Sequence, residues 1–177
     1  MNVPTLDLSK FISGNDEERK AFSDDLGQSF NQTGFAIIKN HDLKKDLTDE
    51  LYKVIKAFFD LEDEKKIKYY FPDLYGQRGY VVKGQEHAKG SKKGDLKEFF
   101  HIGNPSISNP QNIWPHEVES FNEIGSEVFI TLENIGLTLL RAISIYLNLD
   151  INYFEDKVKG GESILRSIHY FPLDPSD

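Results

Sequence analysis

VESFNEIGSEVFITLENIGLTLLRAISIYL, residues 118–147, is the stretch of the sequence with the strongest structural signal. Its apolar residues recur every three or four positions throughout, which is the spacing of one face of an α-helix. At 1.5 Å per residue the predicted helix would be about 45 Å long. The apolar face of so long a helix must lie against something large, so we predict that it is the central element of the fold.

Shorter elements flank this helix on both sides, and together they predict an α+β fold. In chain order they are a strand at 3–8, a helix through Phe22, Leu26 and Phe30 that ends at Gly34, a buried strand at 35–38, a helix at 47–59, a short charged helix at 60–66, a strand at 98–102, a short helix at 151–158 and a strand at 163–170. Residues 71–94 have no such pattern and are interpreted as a long, glycine-rich polar loop. The last strand has few candidate partners in the segments before it.

The composition limits the classes of protein to which the chain can belong. A length of 177 residues corresponds to one domain, and 13 Phe and 8 Tyr predict a core of packed aromatic rings. The formal net charge of −8 argues against nucleic-acid binding, which usually needs a basic face. The absence of cysteine excludes disulfides, zinc–thiolate sites and iron–sulfur clusters.

The sequence also carries a prediction about location. No uninterrupted apolar run approaches the roughly 20 residues of a membrane helix. The N-terminus has neither the basic start nor the apolar stretch of a signal peptide. We therefore expect a cytoplasmic protein that does not act at a membrane.

Recognisable catalytic motifs are missing from these residues. There is no HxD pair, no HExxH helix, no GxSxG turn and no P-loop. His116 and Glu119 have helical spacing, but the preceding Pro115 makes an exposed helix start the better interpretation. We therefore predict neither a metal ligand nor a catalytic residue in this chain.

Two groups of polar residues are candidates for ligand binding. Arg78, Tyr80 and Lys83 lie in the predicted loop, where a guanidinium and a hydroxyl could hold an acidic small molecule; a solvated, lysine-rich loop is the alternative. Arg166 and Tyr170 would share one face of the last strand and could meet a ligand carboxylate. The alternative there is an arginine paired with a local acid and a tyrosine in the core.

Several stretches, in order along the whole chain, resemble the N-terminal region of the isopenicillin-N-synthase-like Fe(II)/2-oxoglutarate oxygenases, and bacterial members most. The matching stretches are Val3–Leu8, Gly34–His41 (similar to GFFxVxNHG), Phe58–Lys66 (similar to FFxLPxEEK), Gly76–Tyr80, Asp95–Phe100 and Ile164–Tyr170 followed by Pro172. Each is weak alone, but together they are specific.

The resemblance implies a fold, a reaction, and a placement of the iron-binding motifs outside this chain. The fold would be an N-terminal domain at 1–161, followed at 162–177 by the first strand of a jelly roll that is absent or incomplete. Family members use iron and 2-oxoglutarate, whose HxD, distal His and RxS motifs lie beyond the last matching strand. The chain would be the front part of an oxidoreductase acting on a small molecule, and inactive alone.

Residue roles follow from the same resemblance. Tyr170 matches a tyrosine that contacts 2-oxoglutarate in many members. We also assign Arg166 to the cosubstrate, because it is expected on the same face of the strand. Arg78 and Tyr80 match a region that lines the substrate pocket in some members, and we add Lys83 to that group.

A naturally short protein is the competing interpretation. It would be a non-catalytic accessory protein, or would bind small dicarboxylates through Arg78, Tyr80 and Lys83. Its long apolar helix would then self-associate or bind a partner, whereas in a longer enzyme a C-terminal domain would cover that helix.

Overall fold

A computed structural model describes residues 2–86, 94–107 and 110–172, and it is α+β as predicted. Its elements are helices α1 (Ser9–Ile12), α2 (Asp16–Thr33), α3 (Lys45–Phe59), α4 (Asp63–Lys66), α5 (Phe121–Tyr146) and α6 (Glu155–Val158), and strands β1 (Thr5–Asp7), β2 (Ile37–Lys39), β3 (Gly79–Val81), β4 (Lys97–Gly103) and β5 (Ile164–Tyr170). Lys89, Lys92 and Lys93 of the predicted lysine-rich loop lie outside the described residues.

The chain forms two compact units, each made of two separate segments. The first unit contains Met1–Lys44 and Thr131–Gly161, and the second contains Lys45–Ile130 and Glu162–Asp177. The division predicted from the sequence fell after residue 161. In the structure the segment that begins at Glu162 is part of the second unit, together with the middle of the chain.

Helix α2 organises the first unit, and the sequence specifies both of its ends. The side chain of Asn15 accepts a hydrogen bond from the Glu18 amide, and the Glu18 carboxylate accepts one from the Asn15 amide, which forms a capping box. Gly34 ends the helix in the left-handed conformation at φ 78°, as predicted. The buried core of this unit consists of Leu6, Leu8, Phe11, Phe22, Leu26 and Ala142.

The strand predicted to be buried at 35–38 is largely exposed, so that prediction was wrong. Strand β2 pairs in parallel with β1 in a two-stranded sheet. Phe35 is 68% exposed and Ile37 is 53% exposed, while Ile38 packs against the core. A continuous apolar run shows that both faces of a strand could be buried, but it does not supply the second layer that would cover them.

The second unit has the aromatic core that the composition predicted. Phe58 of α3 is fully buried. Its ring makes edge contacts, at centroid distances of 4.7–6.0 Å, with Phe59, Tyr69, Tyr80, Phe100 and Phe121. Such edge-to-face pairs stabilise the core beyond the burial of their area.

A three-stranded antiparallel sheet in the order β3–β4–β5 packs on this core. The alternation predicted for the last strand is confirmed, because the side chains of β5 are exposed and half-buried in turn. The expectation that this strand had few partners was wrong, since it pairs with β4 along all 7 of its residues. Strand β3 was missed because it has only 3 residues and begins with glycine in a loop-like stretch.

Helix α5 is continuous over 26 residues and runs through both units. It begins at Phe121 rather than Val118, because Ser120 takes a left-handed conformation at φ 58°. By length and composition this helix could cross a membrane, although Glu and Arg residues divide its apolar sequence into short runs. In the structure, 22% of its most apolar stretch is buried. The central helix of a folded domain meets the same criteria, so composition alone does not assign α5 to a membrane.

Candidate substrate and cosubstrate site

The pairing of β4 with its neighbours places functional side chains on two opposite sides of the sheet. Residues directly opposite each other in an antiparallel pair point to the same side. The glutamate face carries Tyr80, Glu98, Phe100, Ile102 and His169, and the arginine face carries Phe99, His101, Arg166, Ile168 and Tyr170. The predicted cosubstrate residues Arg166 and Tyr170 therefore do share a side of the sheet.

Arg166 and Tyr170 are both accessible on the arginine face. The guanidinium of Arg166 lies 4.7 Å from the centre of the Phe99 ring, and its Nη1 is 3.3 Å from the Glu86 carboxylate. Its side chain is still 43% exposed, and Tyr170 is 66% exposed. Both ends of this pair can thus meet a ligand without a change in the core.

Arg78 lies on the same side of the sheet but is buried. Its guanidinium fills the space beside Gly103, where a Cβ would come within 2.0 Å of the Arg78 Cζ. Nη1 donates a hydrogen bond of 2.7 Å to the Gln77 carbonyl. Nε and Nη2 have no hydrogen-bond acceptor in the described part of the chain. The nearest paired carboxylate, that of Glu162, is 3.9 Å from Nη2.

His101, beside Arg78 on this face, is held in one neutral form. Its Nδ1 contacts the Gly76 carbonyl, and because a carbonyl only accepts, Nδ1 must carry the proton. Burial lowers the pKa of His101, the contact with Gly76 opposes this, and the positive charge of Arg166 lowers the pKa further. Its Nε2 is a buried acceptor that lacks a partner among the described residues.

Tyr80 and Lys83 do not join Arg78, although the sequence analysis grouped them. The Tyr80 hydroxyl is on the glutamate face, where it donates a hydrogen bond of 2.5 Å to Glu98. Burial, and then this bond, raise the pKa of Tyr80 far above its ordinary value. The ammonium of Lys83 lies 4.6 Å from the centre of the Phe171 ring. One ligand group cannot bridge Arg78 and Tyr80, because the sheet separates them.

The charged cluster of the glutamate face was not predicted from the sequence. Glu98 is 1% exposed and receives hydrogen bonds from Lys66 at 3.0 and 3.3 Å, from Tyr80, and from the His169 Nδ1 at 2.8 Å. One sequence signal was available: Glu98 is two residues before Phe100, so on a strand both side chains lie on the same, buried side of the sheet. The short helix at 60–66 was predicted only as charged, and nothing in it marked Lys66 as buried.

The described residues do not fit an iron site. Within 2–86, 94–107 and 110–172, no group of three His, Asp or Glu side chains could hold a metal ion. His116 does not form the helical pair with Glu119 that its spacing allowed, but contacts the Tyr69 hydroxyl at 3.0 Å and the Glu117 carboxylate at 3.8 Å. Burial, and then the bond to Glu117, raise the pKa of Tyr69 to about 12. This cluster holds a loop in place, and no metal-dependent step can be assigned to it.

An α+β fold with an arginine and a tyrosine on one side of an exposed strand is what the family resemblance implies. A family model described as the N-terminal region of non-haem dioxygenases in morphine synthesis matches residues 3–117. The chain belongs to this family.

The relatives and structural neighbours agree with that assignment. A leucoanthocyanidin dioxygenase of Malus domestica is 31% identical, over 98% of this chain and 49% of its own length. A 2-oxoglutarate-dependent dioxygenase of Aspergillus rugulosus is 31% identical, over 96% of this chain and 56% of its own. A full-length Neurospora crassa protein, solved in complex with α-KG, has a TM-score of 0.86 at 26% identity and matches 98% of this chain and 56% of that one. The chain thus spans about half the length of the relatives it matches.

Proposed function

We propose that this chain is the front, substrate-facing portion of a cytoplasmic Fe(II)/2-oxoglutarate-dependent oxygenase that acts on a small molecule. One observation supports this most directly. Arg166 and Tyr170 are exposed on the same side of β5, and Tyr170 is at a position that the family resemblance assigns to the cosubstrate. In this proposal β5 is the first strand of the jelly roll.

The chain's own contribution is binding rather than redox chemistry. The Tyr170 hydroxyl would donate a hydrogen bond to 2-oxoglutarate, and the Arg166 guanidinium would favour its negative charge. Arg78 would line the substrate side of the pocket, whereas Tyr80 would hold Glu98 and Lys83 would contact the Phe171 ring. The iron, which supplies the oxidising chemistry, would be bound by residues that follow β5, because the described residues offer no set of ligands.

A longer enzyme, of which this chain is the front portion, also explains the apolar surface of α5. Ile130 is 45% exposed and Leu132 is 39% exposed, although both lie in the middle of the helix. A C-terminal portion of the enzyme would cover these side chains, so neither a membrane nor self-association is needed. A naturally short accessory or dicarboxylate-binding protein is not favoured, since the relatives reported above are dioxygenases about twice as long.

The proposed substrate is a small molecule. A second structure of the Neurospora crassa protein contains both α-KG and thymine, which shows what that protein binds. For this chain we expect a compound of similar size that enters along the arginine face.

The proposal is tested by comparing two proteins. The gene is expressed up to the codon for Asp177 and also through its full open reading frame, and Fe(II)-dependent conversion of 2-oxoglutarate to succinate is measured. We expect turnover by the longer protein and none by the chain of 177 residues. Iron-dependent succinate formation by the shorter chain would overturn the proposed division of labour.

Tyr170 provides the residue-level test in the longer protein. Tyr170→Phe should raise the KM for 2-oxoglutarate about fivefold, because one hydrogen bond to a charged ligand is lost. Tyr52→Phe is the matched control, since Tyr52 is 72% exposed on α3. Equal KM values for the two variants would remove Tyr170 from the cosubstrate site.

A further inference from the structure

The guanidinium of Arg78 presents one complete, unused binding edge. Nε and the adjacent Nη2 have no acceptor among residues 2–86, 94–107 and 110–172, whereas Nη1 donates a hydrogen bond to the Gln77 carbonyl. The N–H bonds of Nε and Nη2 are parallel and spaced to match the two oxygens of a carboxylate. The unpaired atoms are thus the pair that binds a carboxylate in bidentate fashion.

The chain itself satisfies this edge poorly. The Glu162 carboxylate is 3.9 Å from Nη2, beyond hydrogen-bond distance, and its side chain is 56% exposed. The Arg78 side chain has no exposed surface at all. Two buried donors of a cation that lack acceptors are costly, so this arrangement is expected where a ligand supplies those acceptors.

The surroundings of Arg78 favour an anion. Burial lowers the pKa of His101, which disfavours its cationic form, so Arg78 is the cation of this pair. The Glu86 carboxylate is engaged by Arg166 at 3.3 Å and by Lys97 at 3.6 Å. Gly103 has no side chain, which leaves the space that the guanidinium occupies.

We propose that the Nε/Nη2 edge of Arg78 binds a carboxylate of the substrate, and that Glu162 is the displaceable partner that occupies its place in the free protein. This assignment rests on the proposed function only in naming the ligand as the substrate. The ligand carboxylate would replace that of the exposed Glu162 side chain and leave the sheet unchanged.

The experiment measures binding to the 177-residue chain, without iron. Benzoate and succinate are titrated by calorimetry, with benzamide and succinamide as uncharged analogues, while NMR follows the Arg78 Nε–H resonance. We expect the carboxylates to bind and to shift that resonance, and the amides to do neither. Absence of carboxylate binding would overturn the proposal.

Two substitutions distinguish this site from a purely structural arginine. Glu162→Gln removes the competing carboxylate and should tighten benzoate binding about threefold. Arg78→Lys keeps the charge but loses the paired donors and should weaken binding about tenfold. Weaker binding by Glu162→Gln would show that Glu162 supports the site instead of competing for it, and would refute the exchange.

The matched control is Asp16→Asn in the first unit. Asp16 also lies 3.9 Å from an arginine, Arg19, but both of those side chains are exposed. This variant should bind benzoate like the unmodified chain, and an effect equal to that of Glu162→Gln would indicate a general charge effect and overturn the proposal.

The source of the carboxylate is decided by a further titration. Binding of 2-oxoglutarate without binding of benzoate would reassign Arg78 to the cosubstrate and overturn the substrate assignment. Carboxylate binding at Arg78, combined with failure of the longer protein to turn over 2-oxoglutarate, would leave this inference standing and refute the proposed function.

Discussion

The two faces of strand β4 bury charged groups in opposite ways. On the glutamate face, the Glu98 carboxylate receives hydrogen bonds from Lys66, Tyr80 and His169. On the arginine face, Arg78 and His101 leave three buried nitrogen atoms without partners in the described part of the chain. A fully bonded charge stabilises one arrangement of the core, whereas an unbonded one lowers stability and is retained where it binds something. We therefore interpret the bonded residues of the glutamate face as structural and the incompletely bonded residues of the arginine face as candidates for ligand binding.

The pKa of Lys66 shows the strength of the bonded side. Burial alone would lower the pKa of this ammonium, but its bonds to Glu98 and Asp63 outweigh burial and raise the pKa above its ordinary value. Lys66 is only 4% exposed, so its charge depends on these partners rather than on water.

The largest expected effect is therefore on the glutamate face. Lys66→Met would leave the buried Glu98 carboxylate without its cation and should lower the free energy of unfolding by about 3–5 kcal/mol. Urea denaturation of the variant and of the unmodified chain measures the difference. Lys53→Met is the control, because the Lys53–Glu50 pair is exposed and its loss should have little effect. Equal free energies of unfolding for the two variants would mean that the buried Lys66–Glu98 pair stabilises the fold no more than an exposed pair does.

The corresponding change on the arginine face should have a smaller effect of opposite sign. Arg78→Met keeps most of the side-chain volume and removes a buried charge that has no hydrogen-bonded carboxylate among the described residues. It should raise the free energy of unfolding by about 1 kcal/mol, since no buried anion is left behind. The same urea series measures this change. A loss of stability comparable to that of Lys66→Met would show that Arg78 is a structural cation, and the contrast between the faces would disappear.

The smallest effect is the pH dependence that His101 contributes. Burial lowers its folded-state pKa below the ordinary value of 6.5, so the unfolded chain binds more protons in the interval between the two values. The resulting stability is complete above 6.5 and is lost as the pH falls toward the folded-state pKa. His101→Gln should flatten the dependence of Tm on pH between about 7 and 5, while His41→Gln at an exposed turn should not. Parallel curves for all three proteins would contradict a neutral His101.

The sequence predicted most of the fold because local signals specified it. Asn15 and Gly34 mark the ends of α2 through hydrogen bonds and backbone conformation that those residue types favour. The burial of β2 and the partner of β5 could not be predicted, because both depend on segments distant in the chain. Strand β3 exists only because β4 supplies its hydrogen bonds.

The site was predicted in part, for a similar reason. Strand alternation correctly placed Arg166 and Tyr170 on one side of β5. It could not separate Arg78 from Tyr80, since Gly79 takes φ 74° and breaks the regular alternation between them. Glu98 and Lys66 are 32 residues apart, and only the folded chain reveals that they are partners.

The interleaving of the two units has a consequence for synthesis. The N-terminal segment that carries Leu6 and Phe22 cannot complete its unit until Thr131–Gly161 has been made, and the second unit waits for β5. The apolar side chains of Met1–Lys44 therefore remain without their final partners while Lys45–Ile130 is translated. Both units can therefore fold completely only after β5 has been made, and chaperones that protect nascent apolar segments should have their greatest effect on Met1–Lys44.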